Sequence, residues 1–144
     1  ELAQLEMAEH NAWYGADSGG FDFTAFDSAL AEVGAENLCL RVAPTATLLC
    51  LEWPVDRLWL AHQQHDPQHI ESETGPLHCL VWRQDDAVRL ERIPAVQADL
   101  LNGLFAGENL ARLAALDKDG DLPGLLRRGV ISSFDQQPGD LIHA

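Results

Sequence analysis

The sequence predicts an α+β fold, a small antiparallel sheet of hairpins with helices packed on it. Two observations support this prediction. Helical spacing of apolar residues alternates with strand spacing along the chain, in the order α, α, β, β, α, β, β, α, α, α, β. The chain is also 144 residues long and 47% hydrophobic, which is enough for one domain with a substantial core.

The N-terminal part predicts two helices. Residues 1–16 repeat apolar side chains at helical spacing, and residues 24–33 do the same before Gly34 ends the pattern. We therefore interpret residues 1–36 as an N-terminal helical segment and residues 37–144 as an α+β domain that binds a peptide or partner. Glu1 is not a methionine, so we expect the chain to be the C-terminal part of a longer protein.

A period of two follows this segment. Residues 38–42 and 47–52 predict two strands, which the short segment 44–46 can join as a hairpin. Trp53-Pro54 then opens a helix, because proline is tolerated in a first helical turn. A polar loop is expected at residues 65–76. Beyond it, residues 77–83 and 87–93 predict a second hairpin.

The C-terminal part predicts three short helices and a strand. Pro94 starts a helix that Gly107 ends, and helices at 109–116 and 122–128 precede a strand at 130–132. Helices in this order beside a hairpin resemble a helix-turn-helix unit with sheet support. We therefore expect the C-terminal half to be winged-helix-like.

The charge balance disfavours nucleic acid as a partner. The net charge is −14, from nine Lys+Arg against 23 Asp+Glu, and Lys118 is the single lysine. Affinity for a duplex comes largely from basic residues that neutralise phosphates, so we expect this domain not to bind DNA or an anionic membrane. No apolar run approaches the roughly 20 residues of a membrane span. We expect a cytoplasmic protein.

Metal and catalytic motifs are weak. His62, His65 and His69 can be a metal cluster or surface histidines near a helix end, and we favour the second interpretation. An EF-hand starting at Asp117 fails, because its sixth and twelfth positions hold Leu122 and Arg128. Nucleophile, P-loop and dinucleotide motifs are absent. The sequence thus predicts no metal, no cofactor and no enzymatic activity.

Cysteines and tryptophans fit a core role. Cys39, Cys50 and Cys79 lie in apolar runs without CxxC spacing, so we expect buried free thiols. Three tryptophans lie within or beside apolar runs, so we expect their side chains to pack in the core. They are Trp53, Trp59 and Trp82.

Basic residues mark the candidate binding surface. Arg83, Arg89 and Arg92 fall on the second hairpin, and Arg127 and Arg128 end the last helix. An extended peptide can add as a strand to an open sheet edge, or lie in the groove beside helix 122–128, with arginines holding its acidic or carbonyl groups. The alternative is that the hairpin arginines only pair with the nearby carboxylates of Asp85, Asp86 and Glu91, which contributes about 0–1 kcal/mol.

Two runs of the sequence resemble a known family. These are LCLRVAPTATLLCLEWPVDRLWLAHQ at 38–63 and PLHCLVWRQDDAVRLERIPAVQADLLNGLFAGENL at 76–110, and the opening LAQLEMAEHNAWYGAD fits as well. The chain resembles the C-terminal domain of the HvfC/BufC proteins, whose N-terminal part was long catalogued as DNA-binding. The matching motifs are structural, and none is a catalytic signature.

The resemblance implies a function in peptide modification. Proteins of this family, like the similar MbnC proteins, bind a multinuclear non-heme iron oxidase and present a ribosomally made precursor peptide to it. It therefore implies a non-catalytic partner protein, while the iron and the chemistry belong to the oxidase. A DNA-binding transcriptional regulator of winged-helix type is the alternative, because of the helix order and the family's older label.

Overall fold

The computed structural model describes residues 1–16, 20–63, 76–117 and 121–136 and has an α+β fold. In chain order, its helices are α1 (Leu2–Tyr14), α2 (Phe23–Val33), α3 (Val55–Gln63), α4 (Ala95–Phe105), α5 (Leu110–Leu116) and α6 (Asp121–Arg127). Its strands are β1 (Leu38–Val42), β2 (Thr47–Leu51), β3 (Leu77–Gln84), β4 (Ala87–Ile93) and β5 (Ile131–Gln136). A 3₁₀ turn at Ala35–Asn37 precedes β1.

The second predicted hairpin is confirmed. Strands β3 and β4 pair antiparallel, with Gln84 opposite Ala87, so the connection contains only two residues. Asp85 and Asp86 have φ values of 53° and 61°. Positive φ at both central positions is the geometry of a type I′ turn, whose twist matches that of the flanking strands. The local turn chemistry therefore sets the β3–β4 register.

The first predicted hairpin is wrong. Strand β2 pairs with β3, giving a three-stranded sheet in the order β2-β3-β4, whereas β1 pairs with β5. The connection from Ala43 to Ala46 contains no positive φ, and the Ala43 N–H donates to the carbonyl of Val130 at 2.7 Å. Strand β1 therefore obtains its backbone partners from the far end of the chain. Strand β5 also extends beyond its predicted limit, to Gln136.

The contacts divide the chain into two compact units. Unit 1 comprises Glu1–Ala16 with Thr45–Ala98, and unit 2 comprises Asp17–Pro44 with Asp99–Ala144. Each unit combines two separate stretches, so neither follows the predicted boundary between residues 36 and 37. Helix α1 groups with the three-stranded sheet because its buried side chains pack there. As a boundary between functional domains, the predicted division stays a prediction.

Unit 1 has its core between α1 and the three-stranded sheet. The buried stripe of α1 consists of Leu5, Ala8 and Ala12, and it packs with Val81 of β3. Alanine at two of these positions lets the helix approach the sheet closely. Partly buried side chains surround this core, namely Leu49, Val55, Trp59, Val88 and Leu90.

Unit 2 is built on the β1–β5 pair, which α2, α5 and α6 contact. Asp22 and Asn109 cap α2 and α5 by accepting backbone N–H groups at 3.0 and 2.9 Å, as short polar N-cap residues do. Aromatic rings link α2 to β5, with Phe26 and Phe134 centroids 5.3 Å apart. The winged-helix-like arrangement of the C-terminal half stays a prediction.

None of the helices in the described ranges is both long enough and apolar enough to cross a bilayer.

Candidate functional site

The β3–β4 hairpin separates the predicted arginines onto two faces. Val88 and Leu90 pack toward α1, and Arg83 lies opposite Val88 on β3, so Arg83 shares their face. Side chains alternate along a strand, which places Arg92 on that same face and Arg89 on the other. Arg83, Arg89 and Arg92 therefore do not form the single outer patch that their spacing suggests.

Arg83 interacts with the C-terminal end of α1. Its Nη1 donates to the carbonyl oxygens of Ala12 and Trp13, at 3.2 and 2.8 Å. The last turn of α1 contains no basic residue of its own. The carbonyl end of a helix carries partial negative charge and attracts cations. Arg83 thus satisfies helix-end carbonyls and ties β3 to α1.

Arg92 forms a bidentate ion pair with Asp56 in the first turn of α3. Its Nε lies 3.0 Å from Oδ2, and its Nη2 lies 2.9 Å from Oδ1. Burial alone would raise the pKa of Asp56, whose exposed fraction is 3%. The hydrogen bonds and positive charge of Arg92 outweigh that cost and lower the pKa. The pair therefore fixes α3 against β4 as an ionised unit.

Cys79 is a buried thiol next to this ion pair. Burial, followed by the negative charge of Asp56, raises the pKa of Cys79 to about 12. Only the thiolate is a good nucleophile or metal ligand, so we expect Cys79 to be unreactive near neutral pH. The groups around Cys79 therefore contribute to packing, and we expect no reaction at this thiol.

The expectation of buried thiols is confirmed for Cys39 and Cys79 and is wrong for Cys50. Cys50 lies on β2, an edge strand of the sheet, opposite His78. Its neighbour Leu49 packs toward α1, so alternation directs the Cys50 side chain away from that core.

The remaining predicted arginines lie in different places. Arg89 is exposed on the edge strand β4. Arg127 is exposed in the last turn of α6, and the Nε of Arg128 donates to the carbonyl of Gly124 at 3.3 Å. Arg127 and Arg128 belong to unit 2, whereas the hairpin belongs to unit 1. Arg89 is thus exposed although Trp82, its cross-strand partner, is buried, and the binding role of all five arginines stays a prediction.

The metal predictions fall largely outside the described residues. This applies to His65, His69 and Asp119, to the side chains of His62 and Asp121, and to all but Pro76 of the predicted loop 65–76. Within the described ranges, no three His, Cys, Asp or Glu side chains are grouped so as to hold a metal ion. Asp117 accepts the Leu122 N–H at 3.2 Å, which is a capping role at the start of α6.

The outward face of α1 exposes large apolar and aromatic side chains that the sequence analysis did not identify as a surface. Met7 and Tyr14 are 74% and 78% exposed, and the ring centroids of Tyr14 and His10 are 4.6 Å apart. A depression of about 380 Å³ lies on this helix, lined by Glu6, Glu9, His10, Trp13 and Tyr14. The helical period could have predicted this face. If Leu5 and Ala12 are buried, Met7 and Tyr14 must lie on the opposite side of the helix.

The tryptophans also differ from expectation. Trp82 is buried and Trp59 packs at the edge of the unit 1 core, as expected, but Trp53 is 56% exposed. Trp53 lies two residues before α3 and is therefore not part of the helical face that meets the core.

No family model, no curated protein and no solved structure matches this chain.

Proposed function

We propose that this chain is a non-catalytic partner protein that captures an extended precursor peptide along β4 and presents it to a multinuclear non-heme iron oxidase. The observation that supports the peptide-binding step most strongly is the edge position of β4. Within the described ranges, β4 pairs with β3 on one side only. An edge strand offers backbone donors and acceptors that a peptide can use by strand addition.

The turn geometry identifies which backbone groups face this edge. In a two-residue turn the flanking residues, here Gln84 and Ala87, form a hydrogen-bonded pair, and such pairs alternate along an antiparallel ladder. Val88 and Leu90 occupy the non-hydrogen-bonded positions, so their N–H groups are directed away from β3. A peptide that pairs with β4 would use these two donors.

The hairpin is anchored to the rest of unit 1 by buried side chains and an ion pair. The middle of β3 is fully buried, and the Arg92–Asp56 pair ties β4 to α3. A preformed edge reduces the entropy that binding must overcome. Arg83 and Arg92 therefore support the proposed site from inside, rather than contacting the peptide.

Arg89 supplies positive charge beside the proposed peptide. It is exposed at the middle of β4, in a chain whose net charge is −14. A guanidinium group forms strong hydrogen bonds with carboxylates and also binds carbonyl oxygens. We therefore expect the captured segment to place an acidic or carbonyl group near Arg89.

The oxidase as partner follows from the resemblance to the HvfC/BufC C-terminal domain. In this proposal the iron and the oxidation chemistry belong to the oxidase, and this chain contributes recognition.

Co-expression with the products of neighbouring genes tests the proposal. We expect an oxidase and a short precursor peptide to co-purify with the chain, and an Arg89→Glu substitution to weaken retention of the peptide. Arg112→Glu is the matched control, because Arg112 is also exposed but lies on α5. Equal peptide retention by both variants and the parent chain would remove Arg89 from the site, and failure to retain either partner would contradict the proposed function.

A further inference from the structure

We propose that the outward face of α1 binds an arginine or lysine side chain from a basic segment of a partner protein. This surface lies on a different element from the β4 edge and favours ligands of the opposite charge. Its centre is the depression of about 380 Å³ lined by Glu6, Glu9, His10, Trp13 and Tyr14. The inference goes beyond peptide capture at β4 and does not depend on it.

The aromatic side chains here are unusually exposed for a helix that also forms a core. Trp13 is 49% exposed and Tyr14 is 78% exposed, and Met7 lies on the same helix with most of its surface in water. Trp, Tyr and Met are enriched where proteins bind other proteins, and Trp and Tyr are enriched among the residues that dominate binding energy. The face therefore has the composition of an interface.

Charge determines which partner suits this face. Glu6 and Glu9 place two carboxylates in the depression, and the α1 sequence contains no lysine or arginine. An acidic segment would be repelled, whereas a guanidinium or ammonium group gains both ion pairing and attraction to the faces of the Trp13 and Tyr14 rings. The negative charge of the depression therefore favours a basic segment as the ligand.

The depression is also preorganised. The Nε1 of Trp59 donates to the Glu9 carboxylate at 2.9 Å, and His10 packs against Tyr14. Arg83 holds the backbone carbonyls of Ala12 and Trp13 from the sheet side. These contacts position one carboxylate and the end of the helix before any ligand arrives, which lowers the entropic cost of binding.

A short glycine/serine peptide carrying two arginines is the test ligand, and the same peptide with citrulline in place of arginine is its neutral control. Each peptide is titrated into the full chain. NMR of the tryptophan indole N–H groups locates the binding, and the titration curve gives the affinity. We expect the arginine peptide to shift the Trp13 signal and the citrulline peptide to bind at least about twofold more weakly. Trp13→Ala and Glu6→Gln should each weaken arginine-peptide binding by about two- to fivefold.

Matched variants control for exposure and charge. Trp53→Ala removes another exposed tryptophan, and Glu32→Gln removes an exposed carboxylate from α2, so neither should change binding. Circular dichroism establishes that each variant is folded. Equal affinity for the citrulline peptide, or unchanged binding by folded Trp13→Ala and Glu6→Gln variants, would overturn the inference. Because the test peptide contains no acidic residue for Arg89, such a failure would leave the β4 proposal standing.

Discussion

Asp56 and Arg92 show how a single pair of charges can hold two elements together. Asp56 is almost completely buried, and Arg92 keeps 28% of its side chain exposed. Replacing Asp56 with asparagine removes, at an almost completely buried position, the negative charge that Asp56 supplies to the guanidinium. We expect Asp56→Asn to lower the free energy of unfolding by about 3 kcal/mol at neutral pH, measured by urea denaturation.

An exposed ion pair provides the control for that substitution. Arg112 and Glu108 lie 3.3 Å apart on the surface, so Glu108→Gln should cost only about 0–1 kcal/mol. Equal losses in the two variants would show that the Asp56–Arg92 pair has no special importance for the fold.

The same pair predicts a pH dependence. The pKa of Asp56 is lowered in the folded state, so its stabilising contribution is present above the unfolded pKa of about 3.9 and is lost as the pH falls through the folded pKa. The stability difference between the parent chain and Asp56→Asn should therefore narrow below about pH 4. A difference that stays constant down to the acid unfolding of the parent chain would contradict this assignment.

The thiols are expected to differ in reactivity. Cys79 has a pKa of about 12 and is buried, Cys39 is buried, and Cys50 is exposed. Under native conditions near pH 8, iodoacetamide should modify Cys50 first, and Cys39 and Cys79 only after denaturation. Mass spectrometry of the digested protein would identify each product, and early modification of Cys79 would contradict the described burial.

At the scale of elements, Arg83 joins β3 to the end of α1. Arg83→Gln should lower the free energy of unfolding by about 1–2 kcal/mol, because helix-end carbonyls lose a charged donor. Arg89→Gln is the matched control, since Arg89 is exposed on the same hairpin, and it should change stability by less than about 0.5 kcal/mol. Hydrogen exchange should report faster opening of the last turn of α1 in Arg83→Gln alone. Indistinguishable behaviour of the two variants would show that Arg83 does not stabilise the helix.

The elements themselves were largely predictable because their signals are local. The period of apolar residues predicted α1 and α2, and the alternation in residues 87–93 predicted β4. Pairings between distant residues were not predictable in the same way. Leu40 pairs with Phe134, and no periodicity within either strand records that partner.

The candidate site was predictable to a similar extent. Sequence reasoning selected the hairpin and its arginines, but it did not anticipate that Arg83 and Arg92 bind inside the unit. Their partners, the Trp13 carbonyl and the Asp56 carboxylate, lie far away in the chain. Such contacts depend on how α1 and α3 pack on the sheet. The exposed face of α1 was not predicted, because the periodicity was used only to find the side chains that α1 buries.

For the whole molecule, the net charge of −14 disfavours DNA binding. We expect no appreciable binding to labelled duplex DNA at physiological salt, because few basic residues are present to neutralise phosphates. Titrations at low and moderate salt would test this expectation. Micromolar affinity with a steep salt dependence would instead favour the winged-helix regulator.

The central claim is that β4 captures an extended peptide through its backbone, and an N-methyl scan of the precursor peptide tests it most directly. Each peptide carries one methylated amide, which removes a donor without changing a side chain. Strand addition uses alternate amides of the incoming strand, so affinity for the full chain should fall at every second position within the captured segment and stay nearly unchanged between them. Affinity losses without this two-residue period, or no losses at all, would contradict capture at the β4 edge.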